Sequence, residues 1–111
     1  MSTEVRIYYK ADIVDEDMDM AILSVMEGTF NQFSEKLNCM NTKLQVRYVG
    51  YLVDRRIKAK EIKDHLLLYA QKEVCIKVFY KTSEVDVLVD QVGTLESVTR
   101  KNTPKMYREL L

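Results

Sequence analysis

Asp15, Asp17 and Asp19 stand at the spacing of the first three ligands of a calcium-binding loop, in which alternate carboxylates converge on one hard cation. The rest of such a loop is missing. Its sixth position, where a glycine makes the sharp turn, is Met20, and its twelfth, where a bidentate glutamate closes the site, is Met26. A solvated, acidic helix start accounts for the run. His65 is the only imidazole in the chain, so no histidine-based zinc site can form, and no spacing brings it a nucleophile or an orienting carboxylate. Gly28, Gly50 and Gly93 are isolated from one another, which leaves no glycine-rich phosphate cradle and no nucleophile elbow. Cys39 and Cys75 are too few and too far apart for a disulfide framework or a paired-cysteine redox or metal motif. Asp86 and Asp90 flank Leu88 beside Lys77 and Lys81, and cross-strand ion pairs explain them without catalysis. No catalytic residues, cofactor or metal are therefore expected.

Basic and aromatic side chains interleave on three predicted strands: Arg6, Tyr8 and Lys10; then Arg47, Val49 and Tyr51; then Lys77, Phe79 and Lys81. If the valine-rich faces meet the helices, these groups share the opposite face of one sheet. Such a face suits two kinds of partner. Aromatic rings with lysine and arginine stems around them make an apolar seam that a second subunit or another protein can close. The same rings can stack unpaired bases while the cations meet phosphates, which is how single-stranded RNA or DNA is held. The basic segment Arg55, Arg56, Lys58, Lys60 and Lys63 serves either reading.

The elements that position these groups follow from hydrophobic periodicity. Val5, Ile7 and Tyr9 alternate with Arg6, Tyr8 and Lys10, a half-buried strand. Met18, Ile22, Val25 or Met26, Phe30, Phe33 and Leu37 recur at three- and four-residue spacing, predicting an amphipathic helix over 16–38 with Asp12 or Asp15 as N-cap. Leu44 to Val53 alternates again, with Gly50 marking a bulge or a close approach. Ala59, Ile62, Leu66, Tyr69 and Ala70 give a second helix ending near Lys72. Val74 to Lys81 reads as a third strand. A turn at Thr82 and Ser83 lets Val85, Val87 and Val89 return opposite Tyr80, Val78 and Ile76 as a fourth, although 84–98 also fits helical spacing. Thr103 and Pro104 open a short C-terminal helix over 103–111, a candidate partner-contacting tail.

The fold expected is an α/β class, α+β sandwich: a four-stranded mixed sheet in the order β-α-β-α-β-β, two long helices on one face and the short terminal helix. Strands joined through single helices imply that part of the sheet is parallel. At 111 residues with 47% hydrophobic and 31% charged side chains, the chain forms a single compact domain, 1–111, able to bury a core without disulfides or metal. No apolar run approaches a membrane span and no signal segment opens the chain, and its unpaired thiols suit the cytoplasm. Its charge sums to zero but is sorted along the sequence: residues 1–41 carry eight acids against three bases, and residues 42–81 carry ten bases against four acids. Opposed charged surfaces of this kind meet within a fold, between subunits or against an outside partner. The function expected is a non-enzymatic protein-binding or regulatory module, a homodimer or a partner of another protein, without a membrane role. The alternative is a single-stranded nucleic-acid binder using the same sheet face and the basic segment.

Overall fold

The computed structural model describes residues 2–11, 15–66 and 74–93. The chain builds β1 (Ser2–Lys10), α1 (Glu16–Leu23), β2 (Ser34–Asn41), β3 (Val46–Val53), α2 (Ala59–Leu66), β4 (Val74–Lys81) and β5 (Asp86–Val92). The alternating segments become strands because a period of two puts every second side chain on one face. The end of the predicted second helix beyond Leu66 and the predicted helix over 103–111 lie outside the described residues.

Asp15 caps α1, its carboxylate accepting the Met18 amide at 3.0 Å, and Glu16, Asp17 and Asp19 occupy the first turn, where the helix dipole favours negative charge. The helix predicted over 16–38 is cut short. After Leu23 the backbone widens to π-helical hydrogen bonding over Ser24–Thr29, closed by Phe30 N donating to the Val25 carbonyl at 3.0 Å. Asn31 then adopts a positive φ of 57°, a left-handed conformation that ends helices. The chain beyond it runs extended into β2, so the predicted four strands are five and the predicted element order gains a strand between the helices.

The sheet order is β2-β3-β1-β4-β5, and all neighbours are antiparallel. The expectation of a partly parallel sheet fails for a topological reason. β1 and β2, joined through α1, do run in the same direction, but β3 pairs between them; β3 and β4, joined through α2, run in the same direction with β1 between them. Each helical crossover thus skips one strand, the split β-α-β arrangement of ferredoxin-like folds, here with β5 added outside β4. A turn over 42–45 closes the β2–β3 hairpin, with Asn41 Oδ1 accepting from Leu44 N at 3.1 Å and Gln45 at a φ of 53°. Gly50 permits the close approach that its sequence position suggests: a Cβ there would stand 2.9 Å from Leu37 Cβ on β2.

Both helices pack on one face, as expected. Val5, Ile7 and Tyr9 of β1, Val49 and Tyr51 of β3, and Val74, Ile76 and Val78 of β4 form a core with Met18, Ile22, Val25 and Met26 and with Ala59, Ile62 and Leu66 of α2. Phe33, which the helical stripe would bury, is 63% exposed because the helix ends before it. Phe33→Ala is therefore expected to change stability by less than about 0.5 kcal/mol. Met26→Ala, in the core, should cost about 2 to 5 kcal/mol. Urea melts of the two variants check this, and a large loss at Phe33 would restore the longer helix.

Candidate interaction surface

Arg6, Tyr8 and Lys10 of β1 and Lys77, Phe79 and Lys81 of β4 do share the sheet face opposite the helices, as the alternation requires. Arg6 lies opposite Lys77, and Tyr8 opposite Cys75. Arg47 and Tyr51 do not join them. In β3 it is Val46 and Tyr48 that face this side, while Arg47, Val49 and Tyr51 point toward the helices. The misreading has a simple physical source: β3 is apolar on both faces, so its alternation does not say which face meets the helices.

The face is built as a closed electrostatic network. Glu4 Oε1 accepts from Arg6 Nε and Glu4 Oε2 accepts from Lys81 Nζ at 2.9 Å, while Arg6 Nη2 donates to Asp86 Oδ2 at 2.8 Å. The Arg6 guanidinium also sits 4.4 Å from the centre of the Phe79 ring. Lys77 Nζ lies 5.7 Å from the Tyr8 ring, which meets Tyr48 edge to face at 5.2 Å. Lys10 Nζ donates to the Leu44 carbonyl at 2.9 Å. Tyr8 is 1% exposed and Phe79 8%, so neither ring presents a free stacking surface.

Three tyrosines report this burial chemically. The Tyr51 hydroxyl is pushed up to about 12, first by burial and then by the charges of Glu35, Glu27 and Asp19. Tyr8 and Tyr9 are also raised, burial being the largest cause in each, with the Asp19 hydrogen bond adding at Tyr9. A raised phenol pKa means that the folded state holds its proton where the unfolded state has released it. The stability these groups contribute is complete below a pH of about 10 and declines as pH rises through the window between about 10 and about 12 in which Tyr51 titrates. Tyrosinate absorbance should accordingly lag behind that of the urea-unfolded chain over this window, and urea midpoints should fall within it. Superimposable titrations of folded and unfolded chain would contradict the buried placement.

The basic segment follows β3. Arg55 donates to the Phe30 carbonyl and to Asp54, and Lys60 pairs with Asp64 at 2.7 Å. The Arg56 guanidinium lies 5.7 Å from the Tyr80 ring. Among the described residues, Arg56, Lys58 and Lys63 meet no carboxylate with their side chains. A ring nitrogen of His65 lies 2.7 Å from the Glu61 carbonyl oxygen, and the ring meets Phe30 edge-on. Among the described residues no group of three or more metal-ligating side chains forms, and no helix is long and apolar enough to cross a membrane.

The surface that sequence reasoning missed is the outer strand. The valines expected opposite Tyr80, Val78 and Ile76 are shifted: Val87 pairs with Tyr80, Asp90 with Val78 and Val92 with Ile76, with a bulge at Val89. The bulge turns Asp90 to the helix side, separating it from Asp86 and Leu88, with which it was expected to share a face. There its carboxylate accepts the Ala59 amide at 2.8 Å and caps α2. Both acids of β5 are thus engaged within the fold, Asp86 by Arg6 and Asp90 by α2. Beside the exposed Asp86 and Gln91, three large apolar side chains face outward: Val85 is 59% exposed, Val87 44% and Leu88 47%. The valine alternation was the available signal, but edge position depends on the strand order, which no single segment encodes. Compared with known proteins, the chain matches no family model, no curated protein and no solved structure.

Proposed function

We propose that the protein is a non-enzymatic protein-binding module, regulatory in character and acting in the cytoplasm, that accepts an extended strand along β5. The observation that carries this reading is the outer strand itself. An edge strand offers a row of unpaired backbone donors and acceptors, and folds that avoid pairing guard it with outward charges or proline. Here Asp90 is turned to α2 and Asp86 is tied to Arg6, while Val85, Val87 and Leu88 face solvent. An added strand gains main-chain hydrogen bonds from the edge and side-chain contacts from the apolar row. A second copy is one such strand and gives the homodimer; another protein is the other. Binding of single-stranded nucleic acid is less well supported, because base stacking needs free ring faces and Arg6 covers Phe79.

A displayed library of random peptides, about ten residues each, tests the reading. The expected result is enrichment of β-branched sequences whose binding is lost on Leu88→Lys, a guard charge placed on the edge. A library that enriches nothing, or binders indifferent to Leu88→Lys while the variant stays folded, would overturn it.

A further inference from the structure

We propose that the strand preferred by β5 is acidic: an extended protein segment in which apolar residues alternate with glutamate or aspartate, its carboxylates held by Arg56 and Lys63 beside α2. The inference rests on the strand-addition reading and adds the partner's chemistry to it.

Both cations stand beside this edge. Arg56 lies against Tyr80, whose neighbour on β5 is Val87. The Ala59 amide meets Asp90 three residues further along β5. Lys63 reaches the end of the strand, its Nζ 3.2 Å from where a Cβ on Gly93 would stand. Arg56 and Lys63 therefore stand on the helix side near the two ends of β5, at Val87 and at Gly93. His65 of α2 meets Phe30 and Lys60 is neutralised by Asp64, so the cations left to face the edge are Arg56 and Lys63. The acids that could neutralise these cations from β5 are already committed, Asp86 to Arg6 on the far face and Asp90 to the α2 amide.

An added strand alternates its side chains between the two faces of the sheet. Residues on the helix side meet the cations, and residues on the other side meet Leu88. Period two thus sets the motif, acid toward α2 and apolar toward Leu88. A second copy fits less well, because antiparallel pairing of two β5 edges sets the two pairs of cations side by side, and like charges at that range repel. Electrostatic complementarity of this kind governs which partner is selected and how fast it binds.

The test uses the whole protein and two labelled synthetic peptides of about ten residues, valine alternating with glutamate in one and with lysine in the other, read by fluorescence anisotropy. The glutamate peptide is expected to bind at least about tenfold more tightly, and Arg56→Glu with Lys63→Glu should weaken it by about tenfold or more, with a flatter dependence on salt. Far-ultraviolet circular dichroism and urea midpoints confirm that the reversed variant is folded, and Lys63→Gln with Arg56→Gln gives a milder change at the same positions. Equal binding of the two peptides, lost on Leu88→Lys, would overturn the acidic preference while leaving strand addition in place. Binding of neither peptide would overturn both. A parent dimer that Leu88→Lys dissociates and that the glutamate peptide fails to disrupt would assign the edge to a second copy and overturn the acidic partner. Capture of a single-stranded oligonucleotide, lost on the Arg56 and Lys63 reversal, would do the same in favour of a phosphate backbone.

Discussion

Glu4→Ala is expected to cost about 3 kcal/mol of folding stability, because truncating one member of a buried ion network leaves Arg6 charged and buried with part of its compensation gone. Glu4 is buried and joins Arg6 to Lys81, and Arg6 in turn reaches Asp86 on β5. Burial alone works against the charged guanidinium, yet the pKa of Arg6 is raised, since the hydrogen bond and charge of Glu4, with Tyr8 and Asp86, more than offset it. Removing Glu4 takes away the largest of those compensations and leaves the desolvation. Lys81 is partly exposed, so water replaces much of what it loses. Urea unfolding should show a lower midpoint at unchanged slope. The paired replacement Glu4→Leu with Arg6→Met should recover part of the loss, since an ion pair exchanged for packed apolar groups costs far less than a broken one. A single variant no worse than the double would show that the network contributes little. Loosening of β5, seen as faster amide exchange over Asp86–Val92, is the expected companion result, because Arg6 ties that strand to the centre of the sheet.

The second large effect is expected on the helix side. Arg47 Nη2 donates to Asp19 Oδ2 at 2.9 Å and its Nε to the same carboxylate at 3.2 Å, and the Tyr9 hydroxyl donates to Asp19 Oδ1. One carboxylate thus joins α1 to both β1 and β3. Asp19→Ala should cost about 3 kcal/mol, somewhat tempered by the partial exposure of the carboxylate, because it strands a buried guanidinium. Asp19→Asn keeps an acceptor and should cost less. The tyrosine titration separates this from simple loss of helix: without Asp19 the Tyr9 phenol loses one of the causes that raise it and should ionise at a lower pH than in the parent. A loss below about 1 kcal/mol for Asp19→Ala would mean that α1 is not anchored through this carboxylate.

These two networks mark the boundary of what could be read in advance. Val5 to Lys10 and Val74 to Lys81 are legible as strands because hydrophobic alternation is a local property, written residue by residue. Ala59, Ile62 and Leu66 mark the buried stripe of α2 for the same reason, and Asp15 its neighbour's cap. The surplus of acids near α1 and of bases around α2 is likewise a matter of sequence alone.

The tertiary structure decided the rest. Phe30, Phe33 and Leu37 continue a helical spacing, yet the backbone turns at Asn31 and the segment from Ser34 extends as an edge strand, because pairing with β3 outweighs a weak local preference. Arg47 and Tyr51 sit on the helix side because β3 is apolar on both faces, and only its register with β1, Val5 opposite Tyr51 and Ile7 opposite Val49, fixes which face is which. Asp86 and Asp90 lie four residues apart in a stretch of valines, but the bulge at Val89 sends one to Arg6 and the other to α2. Whether a strand ends up in the centre of a sheet or at its edge depends on every other pairing in the sheet. Composition and periodicity determined that this chain makes strands, helices and opposed charges; the order of pairing decided that β5 is an outer strand with Val87 and Leu88 exposed.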